Sequence, residues 1–184
     1  IDLKGFDGST RILMGDSEKI EMSGSVRLNG TYTNNKQPAF LALNSSTDNN
    51  LAIDTLVKIE FNSEVYDQAS NFNTTTDTFT APVTGKYLLT TQLRLDDIDT
   101  AAAWVSIRIV TSNREYRRFI DPNFSADLNQ FGMNMTVVAD MDVGDTAHIE
   151  FKQSGGTAQA DADSGNPGLS TPQLDTFFSG YLLG

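Results

Sequence analysis

The chain has 184 residues, with thirteen Lys and Arg against twenty-four Asp and Glu, a net charge of −11, one histidine and no cysteine. That length supports one well-filled core with an appendage, and an apolar content of 39% together with 14 glycines argues against disorder of the whole chain. The charge repels phosphate backbones and anionic headgroups, so no nucleic acid partner is expected, and the lack of cysteine removes disulfide frameworks and thiolate metal sites and points to a bacterial or viral domain.

The sequence opens on Ile1 with neither a signal-like apolar run nor a stretch of about 20 apolar residues, so no membrane insertion and a fragment or processed product are expected. In residues 1–37, Ile20, Met22, Gly24, Val26 and Leu28 alternate with polar residues, and Gly5, Gly8, Gly15, Gly24 and Gly30 punctuate the segment. This pattern predicts short strands that bury little surface alone, hence a β-rich stalk or neck held by association with its own copies. The head is expected over residues 38–184.

Within the head, period-two alternation marks strands at Val57, Ile59 and Phe61, and at Tyr87, Leu89, Thr91, Leu93 and Leu95. It recurs at Val105, Ile107 and Ile109, from Phe131 to Ala139, and at Ala147, Ile149 and Phe151. Polar residues 71–77 and Pro82–Gly85 predict turns, and Val143-Gly144-Asp145 predicts a hairpin. Gly85 is expected to take a positive φ before its strand, and Gly180 to let a large aromatic pack over the backbone. Residues 158–172, small and acidic with two glycines and two prolines, read as a long loop. The whole is all-β, with enough strands for two packed sheets.

Several runs occur in an order that resembles a known family. They are Pro38-Ala39-Phe40-Leu41-Ala42; Val57 to Asn62 with Tyr66-Asp67; Phe79-Thr80-Ala81-Pro82-Val83-Thr84-Gly85-Lys86-Tyr87; Val143-Gly144-Asp145 leading into Ala147 to Phe151; and Thr176 to Leu183. From Pro38 onward the chain is similar to the globular head of the complement subcomponent-q and tumour necrosis factor superfamily. The resemblance implies a ten-strand jelly-roll sandwich assembled as a homotrimer, with both termini near its base. No collagen-like repeat precedes the head, and this departure looks more like a bacteriophage fibre or bacterial surface appendage.

No nucleophile and base pair stands out, so no enzyme is expected: the one histidine, His148, lies on the polar phase of its strand, and no Gly-x-Ser-x-Gly run occurs. Asp96, Asp97 and Asp99 sit beside a turn where oxygen ligands could converge on calcium, as do Asp140 with Asp142 and Asp161 with Asp163, although a chain this acidic places aspartates in most loops. The resembled family holds calcium near the trimer axis in some members. The basic-aromatic run at Tyr116, Arg117 and Arg118 reads either as an edge strand guarded by charge or as a surface for an anionic sugar. Trp104, on the outward phase of its strand, reads as packing at a subunit interface or against a sugar ring.

The functional expectation is a trimeric head of a viral or phage fibre or tail protein, outside the cell or on the virion surface. It would attach to a cell-surface glycan or protein and join other virion proteins through its N-terminal side. A trimerisation or virion-decoration domain without its own ligand is the alternative, and an enzyme carried on a fibre ranks third.

Overall fold

The computed structural model describes residues 31, 33–166 and 168–184. The expected stalk lies almost wholly outside the described residues, and by contacts the chain divides between Thr33 and Asn34. Residues Asn34 to Gln37 are tied to the head: Gln37 Nε2 donates to the Leu182 carbonyl at 2.6 Å, and Gln68 Nε2 donates to the Asn34 carbonyl at 2.6 Å.

Fourteen strands occur among the described residues, and no helix: β1 Ala39–Leu43, β2 Val57–Lys58, β3 Ser63–Asp67, β4 Phe72–Asn73, β5 Thr78–Thr80, β6 Gly85–Asp96, β7 Ala102–Thr111, β8 Glu115–Ile120, β9 Phe131–Met141, β10 Thr146–Gly155, β11 Asp161–Asp163, β12 Gly165–Asn166, β13 Gln173–Leu174 and β14 Phe177–Leu182. The first sheet runs β3–β1–β14–β6–β9, with β11 paired to the end of β6; the second runs β4–β5–β10–β7–β8, with β2 on β10. All pairings are antiparallel, and β1 lies beside β14, so the two ends of the head's sequence meet in the middle of one sheet. This is a jelly-roll sandwich.

The alternation read from the sequence sorts the faces. From Tyr87 to Asp96 every second side chain of β6 is buried, and Val105, Ile107 and Ile109 of β7 and Ile149 and Phe151 of β10 face them at 0% exposure. The family-like runs converge on an aromatic knot. Phe40 stacks on Phe72 and Phe79 with ring centroids 5.0 and 4.8 Å apart and meets Phe178 edge-on at 5.0 Å, while Phe79 reaches Tyr87 at 5.4 Å. Such pairs add to the burial of rings that already exclude much water. Gly180 permits this packing: a Cβ there would lie 2.9 Å from Phe40 Cε1 and 2.8 Å from Leu89 Cδ2.

Three expectations change. Gly85 is not among the glycines with positive φ; its value is steric, since a Cβ would lie 2.6 Å from Leu182 Cδ1, and the strand begins at Gly85 rather than Tyr87. The stretch from residue 158 to residue 172 is not a bare loop, because β11 pairs with β6 and bridges Asp48, and β12 pairs with β13. The segment around Ile59 and Phe61 buries both side chains at 0% exposure but pairs as a regular strand only at Val57 and Lys58. The turns hold: Gly144 has φ +89° between β9 and β10, and residues 74–77 turn between β4 and β5.

Candidate functional site

Strand β8 is the edge of the second sheet, next to β7. Its short run Glu115-Tyr116-Arg117-Arg118-Phe119-Ile120 alternates, and the register decides what each side chain meets. Tyr116 lies opposite Ile109 and Ile120 opposite Val105, so these two pack inward against the core. Arg118 shares that phase, but at the open edge of the sandwich it reaches β9, where its Nη1 donates to the Asn134 carbonyl at 3.2 Å and to Asn134 Oδ1 at 3.4 Å. Arg117 and Phe119 stand on the outer face with Trp104, Ser106 and Arg108 of β7 and Glu150 and Lys152 of β10.

The outer face is ordered by ring and charge contacts. Trp104 and Phe119 form an edge-to-face pair at 5.3 Å; the Arg117 guanidinium lies 5.5 Å from the Phe119 ring centre, and Lys152 Nζ lies 5.7 Å from that of Trp104. Cations over ring faces are favourable because the π cloud is electron-rich. Arg108 and Arg117 are direct cross-strand neighbours, a like-charge pair that costs energy unless compensated. Arg108 Nη1 donates to Glu115 Oε2 at 3.1 Å, whereas Arg117 pairs with no carboxylate among the described residues. A shallow cleft between β8 and β9 is lined by Arg117, Arg118, Asn134, Met135 and Thr136.

The structure divides the residues that the sequence singled out between two faces of the second sheet. Trp104 and Arg117 share the outer face, Arg118 lies on the opposite phase at the open edge, where it reaches Asn134 of β9, and the Tyr116 ring belongs to the core side. Lys152 and Phe119 join Trp104 and Arg117 through strand pairing, Asn134 meets Arg118 through its hydrogen bond, and the period-two phase of β10 is the only sequence signal that places Lys152 outward. His148 is also on the outer phase, with Nε2 3.1 Å from Glu150 Oε1.

The acidic candidates are dispersed. Asp96 accepts from Arg94 Nε at 3.1 Å and Nη2 at 2.8 Å, and Asp97 is exposed in a left-handed turn at φ +58°. Asp99 is 5% exposed and accepts backbone N–H groups of Thr157 at 2.5 Å, Ala101 at 2.7 Å and Ala158 at 2.9 Å. These bonds, led by those from Thr157 and Ala158, hold its carboxyl below the usual carboxylate range. Asp140 is paired with Lys86 at 2.5 Å, Asp161 accepts the Asn50 N–H at 2.6 Å, and Asp163 lies 3.3 Å from Arg94. Among the described residues no three acidic or histidine side chains gather into a cluster, and Asp96 and Asp99 are engaged by separate partners, Arg94 and the backbone N–H groups of residues 101, 157 and 158.

A two-sheet jelly roll with first and last strands paired in one sheet, and with a cation and ring surface on the other, defines an antiparallel domain of the class that generally binds or assembles. The C1q domain family model matches residues 39–183, and the chain belongs to the C1q domain family. C1q and TNF-like domains are in general binding or structural domains rather than enzymes. Solved structures agree on the fold. The globular domain of zebrafish complement 1qA protein is 16% identical with a TM-score of 0.54, covering 80% of this chain and 98% of that one. Murine APRIL is 14% identical with a TM-score of 0.54 over 80% and 100% of the two chains, and the Eiger TNF from S. frugiperda is 13% identical with a TM-score of 0.55 over 81% and 94%. No curated protein sequence matches the chain.

Proposed function

We propose that the chain is the homotrimeric head of a viral or phage fibre, displayed outside the cell or on the virion surface, that attaches to a cell-surface glycan or protein and joins its particle through residues 1–37. The observation that carries self-association is the outer face of the first sheet. Three successive rows across it, Ala39–Tyr181–Leu88–Val138, Tyr66–Leu41–Ser179–Thr90–Thr136 and Leu43–Phe177–Gln92–Asn134, contain no charged residue. Val138, Tyr66 and Tyr181 of that face are 53%, 47% and 44% exposed in one chain. Charges return at the two ends, as the Lys86–Asp140 pair and as Arg94 with Asp96, Asp163 and Asp175. An uncharged centre with a charged rim is the anatomy of a protein interface.

The fibre context is supported by the Gly-punctuated alternation of residues 1–37, the lack of cysteine and the richness in Asn and Thr. Three copies would multiply weak contacts through avidity. The uncharged face supports a second reading equally well, a trimerisation or decoration domain with no ligand, because self-association needs none.

Light scattering tests the assembly: three masses of 20.1 kDa are expected, falling to one in Leu88→Glu. A wild-type monomer at micromolar concentration overturns the trimer. Specific adhesion of the trimer to host cells is the second arm; a trimer that adheres to nothing leaves the structural reading.

A further inference from the structure

We infer that the outer face of the second sheet, from Arg117 on the β8 edge across Phe119 and Trp104 to Lys152, is a binding site for carboxylate-bearing polysaccharide chains. The inference rests on the attachment reading above and gives it a location and a ligand class.

Charge is the first ground. The chain as a whole carries thirteen Lys and Arg against twenty-four Asp and Glu, yet β7, β8, their connecting turn and β10 together carry Arg108, Arg114, Arg117, Arg118 and Lys152 against Glu115 and Glu150. Screening at physiological salt acts over about 8 Å, so an approaching polyanion responds to this local excess more than to the distant net charge. Neither Arg117 nor Lys152 pairs with a carboxylate among the described residues. The Arg118 guanidinium is anchored by one nitrogen to Asn134, which fixes the fork while leaving it exposed beside the cleft. An anchored fork loses less freedom on gripping a carboxylate.

The rings distinguish a sugar from other polyanions. Phe119 is 48% exposed in the middle of this face, and the contacts run cation, ring, ring, cation from Arg117 to Lys152. A uronate chain alternates apolar C–H faces, which pack on aromatic rings, with carboxylates, which need cations. A polyglutamate segment offers the charge without the flat apolar faces.

Beneath the surface, Ser106 lies in register between Phe119 and Lys152, and Arg108 between Arg117 and Glu150. Ser106 Oγ and Arg108 Nε are buried without a hydrogen-bond partner among the described residues. Buried donors left unpaired under a polar surface are costly, and a ligand hydroxyl or carboxylate that parts the covering side chains would satisfy them.

The test measures binding of the full chain to immobilised polygalacturonate, with dextran, dextran sulfate and polyglutamate as comparison surfaces. Polygalacturonate is expected to bind at least tenfold more tightly than each of the others and to be displaced by free oligogalacturonate but not by neutral oligosaccharide. Arg117→Ser with Lys152→Ser should weaken binding at least tenfold, and Phe119→Ser several-fold without changing charge. Lys36→Ser, on a distant segment, should leave binding unchanged. Equal binding to polyglutamate would overturn the proposal in favour of an acidic protein partner, and equal binding to dextran sulfate would reduce the surface to bare charge. No polygalacturonate binding by a wild-type chain of trimeric mass overturns this site while leaving self-association standing. A monomer that still binds polygalacturonate in a Phe119-dependent manner upholds the site and overturns the trimer.

Discussion

Replacing Asp99 separates two roles that its position in the sequence leaves entangled, calcium ligand and loop staple. Its carboxylate accepts three backbone N–H groups and joins the turn after β6 to the segment after β10, which leaves the strand through Gly155 and Gly156 at φ of +72° and +85°. Bonds to a charged acceptor each contribute about 1.5–3 kcal/mol, but Thr157 and Ala158 are exposed residues whose N–H groups can turn to water. Asp99→Ala should therefore cost about 3 kcal/mol rather than the sum, a fall in Tm of roughly 6–12 °C for a chain of this size. Asp99→Asn keeps one oxygen acceptor and should fall between. The sign with pH follows from the depressed pKa: the carboxylate's contribution is fully present above the unfolded value of about 3.9 and is lost as pH falls through the lower folded value. The gap between wild type and Asp99→Asn should accordingly narrow only in that acid window. Thermal melts at fixed protein concentration, from pH 7 down to pH 2, with and without a chelator, measure all of this. A wild-type Tm that drops with chelator, in a manner abolished by Asp99→Ala, would refute the staple and restore the metal.

Two further substitutions probe the core and a penalised carboxyl. Gly180→Ala brings a methyl group within 3.1 Å of the Leu88 carbonyl as well as against Phe40 and Leu89, so overpacking of about 1–3 kcal/mol should lower Tm by roughly 2–12 °C. Gly132→Ala on β9, in the same sheet, meets nothing within 4 Å and should be near neutral; equal effects at the two positions would refute the steric argument. Burial raises the Asp48 carboxyl above its ordinary range, against the opposing hydrogen bond from the Glu60 N–H, and Glu60 and Asp77 add like charge. The resulting penalty is present at neutral pH and is relieved as pH falls through the raised folded value. Asp48→Asn should thus raise Tm at pH 7 and leave it unchanged near pH 3, in melts followed at both pH values. A loss of stability at pH 7 would mean that the carboxylate's hydrogen bonds outweigh its desolvation.

How far the site could be read in advance varies by residue. Trp104 stands out as the one tryptophan and Arg117 and Arg118 as adjacent positive charges in an acidic chain, and period-two alternation gives their phase. Tyr116, in the same run, faces the core, because one step along a strand reverses the face. Asp96, Asp97 and Asp99 looked like ligands because they are close in sequence, but a turn sends Asp96 to Arg94 and Asp99 to the loop after β10. Proximity along a chain does not fix where side chains converge.

What the sequence by itself determined is what alternation and order carry: an all-β fold, its inward faces, its turns at residues 74–77 and 143–145, and family-like runs that meet in the aromatic knot of Phe40, Phe79, Tyr87 and Phe178. Only the tertiary structure decided which strands are neighbours. Pairing β7 with β8 and β10 set Lys152, Trp104, Phe119 and Arg117 on one surface, and pairing β14 with both β1 and β6 built an uncharged face from segments far apart in the chain. The physical reason is that period two fixes only which side of a strand is apolar, while long-range backbone pairing chooses the partner and the register.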